Sequence, residues 1–215
     1  MGTTAHQDSA WSFGPRQVLA AILGILLYGL LSHTYIIVLL SSSSPDIFLF
    51  ALLIPLLFGI LFGPWVGLIV GGFGFLLGDF VANTWLLDFN WNNGFLYMGA
   101  ALNNFRDLLG WNGIPGYLVS ALIGLAAGFT PLFARRFNTL NELATAGLWA
   151  TISVTLGIAI VVYSTVLIYQ SPYYTLSEAT VAFIDTALSN LFVTLIILPL
   201  LLLLCDRLFL RHRYP

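Results

Sequence analysis

Lysine is absent from the 215-residue chain, and only 7% of its residues are charged. The missing lysine excludes a Walker A phosphate loop, whose GxxxxGK[ST] pattern needs that side chain, and it excludes Schiff-base chemistry. ATP hydrolysis by this chain alone is therefore not expected. Cys205 is the single cysteine, so no disulfide within the chain contributes to the fold. The scarcity of charge excludes more. A soluble domain carries about 25% charged residues because its surface faces water. Seven arginines and nine acids cannot coat a water-soluble particle of this size.

What fills the chain instead is apolar: 59% of the residues are hydrophobic and the mean hydropathy is +0.95. Crossing about 30 Å of hydrocarbon takes roughly 20 residues of helix. Six apolar runs approach that length, at 17–40, 46–63, 65–87, 114–134, 143–169 and 179–204. The expected fold is an all-α integral membrane protein, a bundle of six transmembrane helices. Gly63-Pro64 alone separates the second run from the third, so the turn there must be tight, and Pro64 suits the first turn of a helix.

Orientation follows from arginine placement. With the N-terminus inside, Arg16, Arg135, Arg136, Arg207, Arg211 and Arg213 all lie on the cytoplasmic side and only Arg106 lies outside. Both termini are then cytoplasmic. The expected division is a cytoplasmic tail over 1–15, a transmembrane domain over 16–207 and a basic tail over 208–215. The first run is about twice the length of a signal-peptide core, so it is expected to remain in the mature protein. His6 stands where a myristoylation signal has Ser or Thr.

Small residues recur at helical spacing. Gly67, Gly71, Gly74 and Gly78 share a face of the third run, and Gly116, Ser120, Gly124 and Gly128 share one of the fourth. Such stripes let membrane helices approach until their backbones touch, which points to internal packing. Ala20 and Gly24 form a shorter pair on the first run, suited either to packing or to docking of another membrane subunit.

Polar side chains within the spans are costly and mark candidate sites. His33, Asp79, Asn83, Tyr163 and Asp185 all fall in or near the outer halves of four helices, and Asn190 falls near mid-depth. The cytoplasmic halves read as almost purely apolar. Each acid alone could merely tie a helix end, and His33 alone could be structural. Together they point to a polar cavity that opens outward. The connection between the third and fourth runs adds Trp85, Trp91 and several other aromatics, with Asn90, Asn92, Asn93, Asn103 and Asn104. Within it Phe95, Met98, Leu102, Phe105 and Leu109 follow helical spacing up to Gly110, which predicts a short amphipathic outer helix. It could anchor at the interface or close over a planar polar ligand.

The segment Gly63-Pro64-Trp65-Val66-Gly67-Leu68-Ile69-Val70-Gly71-Gly72, continuing to Leu77-Gly78-Asp79, resembles the Gly-Pro-x-x-Gly…Gly…Asp segment of energy-coupling-factor transporter substrate-binding components. Chain size, six spans and cytoplasmic termini are similar too. The resemblance implies a vitamin-capturing subunit in the cell membrane of a prokaryote. It also implies a transmembrane coupling subunit and two cytoplasmic ATPase subunits as partners, so that ATP is used by other chains and no cofactor is held in this one. The family's docking motif maps onto Ala20 and Gly24, with glycine where the family has a second alanine. By position, the implied ligand site comprises Asp79, Asn83, Trp85, Trp91, Tyr163 and Asp185, beside His33 and Asn190. No motif names the ligand, and nothing in the charge pattern points to nucleic acid.

Two other classes remain open at this level. A membrane scaffold would explain the spans but not the polar outer half. A secondary transporter could use Asp79 or Asp185 to relay protons. An intramembrane enzyme is not expected: His33 has no HExxH context, zinc would need further ligands that the spans do not supply, and Asp79 and Asp185, the one conceivable acid pair, lack a protease signature.

Overall fold

Six helical rods make up most of what the computed structural model describes, which is residues 14–31, 36–38, 46–48, 50–81, 114–133, 137–167 and 175–207. Helix α1 (Pro15–Leu31) is followed by two short strands, β1 (Ile36–Val38) and β2 (Asp46–Phe48), and by a 3-10 turn over Phe50–Leu52. Next come α2 (Leu53–Phe62), α3 (Pro64–Val81) and α4 (Ile114–Ala127), the last extended by a 3-10 turn over Thr130–Leu132. Helix α5 (Leu140–Leu167) precedes α6 (Leu176–Phe192), which passes through a π turn (Val193–Ile197) into α7 (Leu198–Cys205). Two rods, Leu140–Ser164 and Leu176–Cys205, are long and apolar enough to cross a membrane; the helices from α1 to α4 are shorter and apolar. The predicted outer helix within 82–113 and both terminal tails lie outside the described residues.

The first two predicted spans are corrected. Helix α1 is described as far as Leu31, and segments that hydropathy assigned to membrane helix pair as an antiparallel ladder, Ile36 opposite Phe48 and Val38 opposite Asp46. A short run such as Tyr35-Ile36-Ile37-Val38 is apolar in either conformation, and its β-branched residues favour the pleat. The length left for α2 is ten residues, or about 15 Å at 1.5 Å per residue. That is half a hydrocarbon thickness.

The Gly63-Pro64 turn forms as read. Gly63 takes φ 104°, which disfavours any residue with a Cβ, and its N–H donates to the Gly59 carbonyl at 2.9 Å. Pro64 then opens α3 where its missing N–H leaves nothing unpaired.

Helix α3 lies between α1 and α4, and its glycine stripe is shared between them. A Cβ on Gly67 would collide with the backbone of Gly124, and one on Gly71 with the backbone of Ser120. Gly74 instead meets Tyr28 of α1, where a Cβ would come within 2.8 Å of the ring. On the far side of α4, Gly157 of α5 leaves room for Ile123 and Val119. Leu56, Val66, Val70, Ala127, Ala146, Ala150, Leu198 and Leu202 are among the residues closing the core. Backbone approach of this kind replaces side-chain bulk with van der Waals contact along the helix.

Helix α6 starts with a capping box: the Glu178 N–H donates to Thr175 Oγ1, and the Thr175 N–H donates back to Glu178 Oε2 at 2.7 Å. Its π turn has a covalent cause. Pro199 cannot donate to an earlier carbonyl, and its ring crowds the preceding turn. The helix widens ahead of it, with the Leu198 N–H reaching back five residues to the Val193 carbonyl.

Candidate functional site

The antiparallel helices define two ends of the bundle. Pro15, Phe62, Leu140 and Cys205 lie at one, here called proximal; Leu31, Val81, Ile114, Leu167 and Leu176 lie at the other, the distal end. Of the residues read as candidate ligand contacts, His33, Asn83, Trp85 and Trp91 lie outside the described residues. Asp79 occupies the last turn of α3, at the distal end, and its side chain is likewise outside them. The structure describes Tyr163, Asp185 and Asn190, and it sets them along the pair α5 and α6.

These helices meet along a polar seam. Near the distal end the Tyr163 hydroxyl donates to Thr180 Oγ1 at 3.5 Å, and the Tyr163 ring lies 5.8 Å from Phe183. Nearer the proximal end Thr151 and Thr194 join hydroxyl to hydroxyl at 2.7 Å. Thr151 also reaches the Gly147 carbonyl at 2.8 Å, and Thr194 the Asn190 carbonyl at 3.0 Å. The Thr194 hydroxyl also lies 3.4 Å from the Leu191 carbonyl, so each hydroxyl returns to its own helix as well as meeting the other.

Asn190 stands one turn distal to Thr194 and is 2% exposed. Its Nδ2 donates to the Thr186 carbonyl at 2.8 Å, while Oδ1 is buried without a hydrogen-bond partner. Reversing the amide would set Oδ1 against that carbonyl, oxygen to oxygen, so the chemistry fixes the assignment. A buried acceptor left unpaired costs about 1–3 kcal/mol. Asp185 is half-buried on α6, two residues beyond Phe183, around the helix from the Asn190 face.

A second polar link escaped the sequence reading. Tyr28 and Ser120, both buried, bond through their hydroxyls at 2.9 Å. They belong to α1 and α4, which flank α3, and the bare surface at Gly74 is what lets the tyrosine ring reach across. Phe75 packs at 6.1 Å from Tyr28 and 5.7 Å from Tyr117, making an aromatic cluster in the distal half. The available signal was a serine taking a glycine's place in the four-residue spacing of α4, together with the polar tip of Tyr28 in an apolar run.

Two sequence expectations are refined here. Ala20 and Gly24 are buried against this chain's own helices; a Cβ on Gly24 would lie 2.5 Å from Val70 and 2.9 Å from Phe58. Gly24 packs α1 onto α2 and α3, the internal one of the two roles that its spacing allowed. The proximal half is also less bare than hydropathy indicated. It holds the Thr151–Thr194 pair, a bond from Trp149 Nε1 to the Ala126 carbonyl at 2.6 Å, and buried Thr130, whose Oγ1 has no partner. Short hydroxyl side chains weigh little in a hydropathy window, which is why they went unseen.

Among the described residues no three His, Cys, Asp or Glu side chains gather as a metal site would require. The groups on the seam are neutral acceptors, hydroxyls and aromatic faces. That inventory can orient and hold a small polar molecule by hydrogen bonding and stacking. No family model, curated protein or solved structure matches the chain.

Proposed function

We propose that the chain is a membrane-embedded substrate-capturing subunit that takes a small water-soluble vitamin or related heterocycle from outside the cell. The observation carrying this reading is Asn190, a buried carboxamide whose acceptor oxygen lacks a partner, on a seam that leads through Tyr163 and Phe183 to the distal end. A buried acceptor without a partner in the protein is one that a donor-bearing ligand, like an ordered water, can satisfy.

Membrane embedding is supported by what the helices expose. Leu148, Ile152, Leu156 and Ile160 form an exposed stripe along α5; Leu19, Ile22, Leu26 and Leu30 do so on α1. Such surfaces suit hydrocarbon and not water. The arginine bias then assigns the distal end to the outside.

Without a lysine for a phosphate loop, the chain would draw on ATP through separate ATPase subunits, reached by way of a transmembrane coupling subunit. It performs no chemistry on its ligand.

Titrating ligand-depleted protein with water-soluble vitamins, followed by tryptophan fluorescence, tests the reading. One compound is expected to give a saturable change. The Asp79→Asn and Trp91→Ala variants are each expected to bind it about tenfold more weakly, a loss of about 1.4 kcal/mol. Unchanged affinity in both removes these residues from the site. A flat response to every compound contradicts the vitamin class.

A further inference from the structure

We propose that the π turn over Val193–Ile197, enforced by Pro199, selects which of two faces the rod made of α6 and α7 turns into the bundle, and that it selects the polar one. The inference goes beyond ligand capture, since it concerns the register of the rod and stands whether or not a ligand is bound.

Burial runs in straight lines through the turn. Asn190, Thr194, Leu198 and Leu202 follow one another at every fourth residue, and none is more than 2% exposed. Leu188, Phe192, Ile196, Leu200 and Leu204 keep the same spacing on the outer side, and all are exposed. A uniform α-helix advances about 100° per residue, so Leu202 would stand about 120° around the rod from Asn190. The bond from the Leu198 N–H to the Val193 carbonyl spans five residues and takes up one more than an α turn does. Taking away one residue's rotation leaves a drift of about 20°, which keeps both lines straight.

In a uniform helix with Leu198 and Leu202 kept in the core, everything distal to them would turn by about 100°. Leu191 would take the line of Asn190, Leu188 that of Ala187, Ile184 that of Phe183 and Val181 that of Thr180. That second face is apolar throughout, and its Val181, Ile184 and Leu188 are now exposed. It would also put Leu191 where Asn190 leaves a buried acceptor unpaired. Pro199 opposes it. In a uniform helix the proline ring would crowd the Leu195 carbonyl four residues back and bring no N–H to bond it. Gly147 of α5 completes the seat, because its bare Cα lies beside the Thr194 carbonyl and the Pro199 ring, where even a Cβ would approach to 3.2 and 3.3 Å. Local regularity is given up here so that Thr194 meets Thr151 and Asn190 stays inside, a pattern that marks presented residues more than packed ones.

Disulfide trapping in a Cys205→Ser background reads the register. Thr151→Cys with Thr194→Cys stands within reach of a bond, because the two native hydroxyls lie 2.7 Å apart, whereas Leu195 is exposed on another side of the rod. Under mild oxidation the 151–194 pair is expected to close at least about tenfold faster than Thr151→Cys with Leu195→Cys. Adding Pro199→Ala should reverse that preference. Deleting Ile196 as well removes the residue that the π turn absorbs, so a uniform helix should then restore the 151–194 pair, a rescue that general disruption of the rod would not give. An unchanged preference in Pro199→Ala overturns the proposal, and so does a folded deletion variant that favours the 151–195 pair. If Pro199→Ala alone does not fold, by gel filtration, the deletion variant decides between the two pairs. Failure of both to fold also overturns the proposal, which requires a uniform helix to fit the bundle.

Discussion

Replacing Gly67 by alanine sets two opposing effects against each other at the closest contact of the bundle. In a helix interior, alanine is favoured over glycine by about 1 kcal/mol. Against this, the new Cβ would overlap the Gly124 carbonyl of α4 and lie 2.8 Å from the Gly59 Cα of α2. Both obstacles are backbone, so relief requires three helices to part, and overpacking of that kind costs typically about 1–3 kcal/mol or more. Gly72→Ala supplies the control. There the Cβ meets the Ala121 Cβ at 3.3 Å and the Tyr117 carbonyl at an ordinary 3.9 Å, so one side-chain neighbour needs to yield by a few tenths of an ångström. Thermal unfolding of the purified protein in detergent should therefore place Gly67→Ala below wild type and Gly72→Ala at or slightly above it. For a chain of this length about 2–4 °C accompanies each kcal/mol. Equal midpoints for the two variants, or a more stable Gly67→Ala, would refute the close α3–α4 approach.

Tyr28→Phe should lower stability by about 0.5–1.5 kcal/mol, because it leaves the buried Ser120 hydroxyl unpaired, and Ser120→Ala added to it should recover part of the loss in a thermal double-mutant cycle. Gly24→Leu should reduce the yield of folded protein, as judged by gel filtration, since the side chain would enter space held by Val70 and Phe58; normal folding with failed uptake would restore a docking role to that face. Thr175→Ala should cost about 0.5–2 kcal/mol and raise amide exchange in the first turn of α6, and unchanged protection would show that the capping box does not hold that turn.

The sequence was most legible where one residue type admits one backbone solution. Gly63-Pro64 predicted a turn and is one, and the four-residue spacing of Gly67, Gly71, Ser120 and Gly124 predicted a contact that the two helices make through their backbones. Hydropathy was less informative about where a helix ends. The apolar residues after Leu31 read as membrane helix because transfer energy does not distinguish a strand from a helix, and β1 pairs with β2 there. Pro199 was visible in the sixth run, yet a proline can be answered by a kink as well as by the π turn that forms over Val193–Ile197. On the seam, Tyr163 and Asn190 stood out as polar groups in apolar runs. Thr180 did not, because a threonine that returns its hydroxyl to the preceding turn is nearly neutral to hydropathy, and Thr186 accepts from Asn190 through a backbone carbonyl that any residue supplies. Ala20 and Gly24 announced close approach without saying whose helix approaches, and the contact that Gly24 makes is with this chain's own helices.

Mass spectrometry of the small molecules released when the purified, detergent-solubilised protein is denatured tests the capture of a ligand most directly. The account predicts one vitamin or related heterocycle, bearing an N–H or O–H donor, in near-stoichiometric amount. Protein prepared without any ligand-depletion step that releases no such molecule would contradict it.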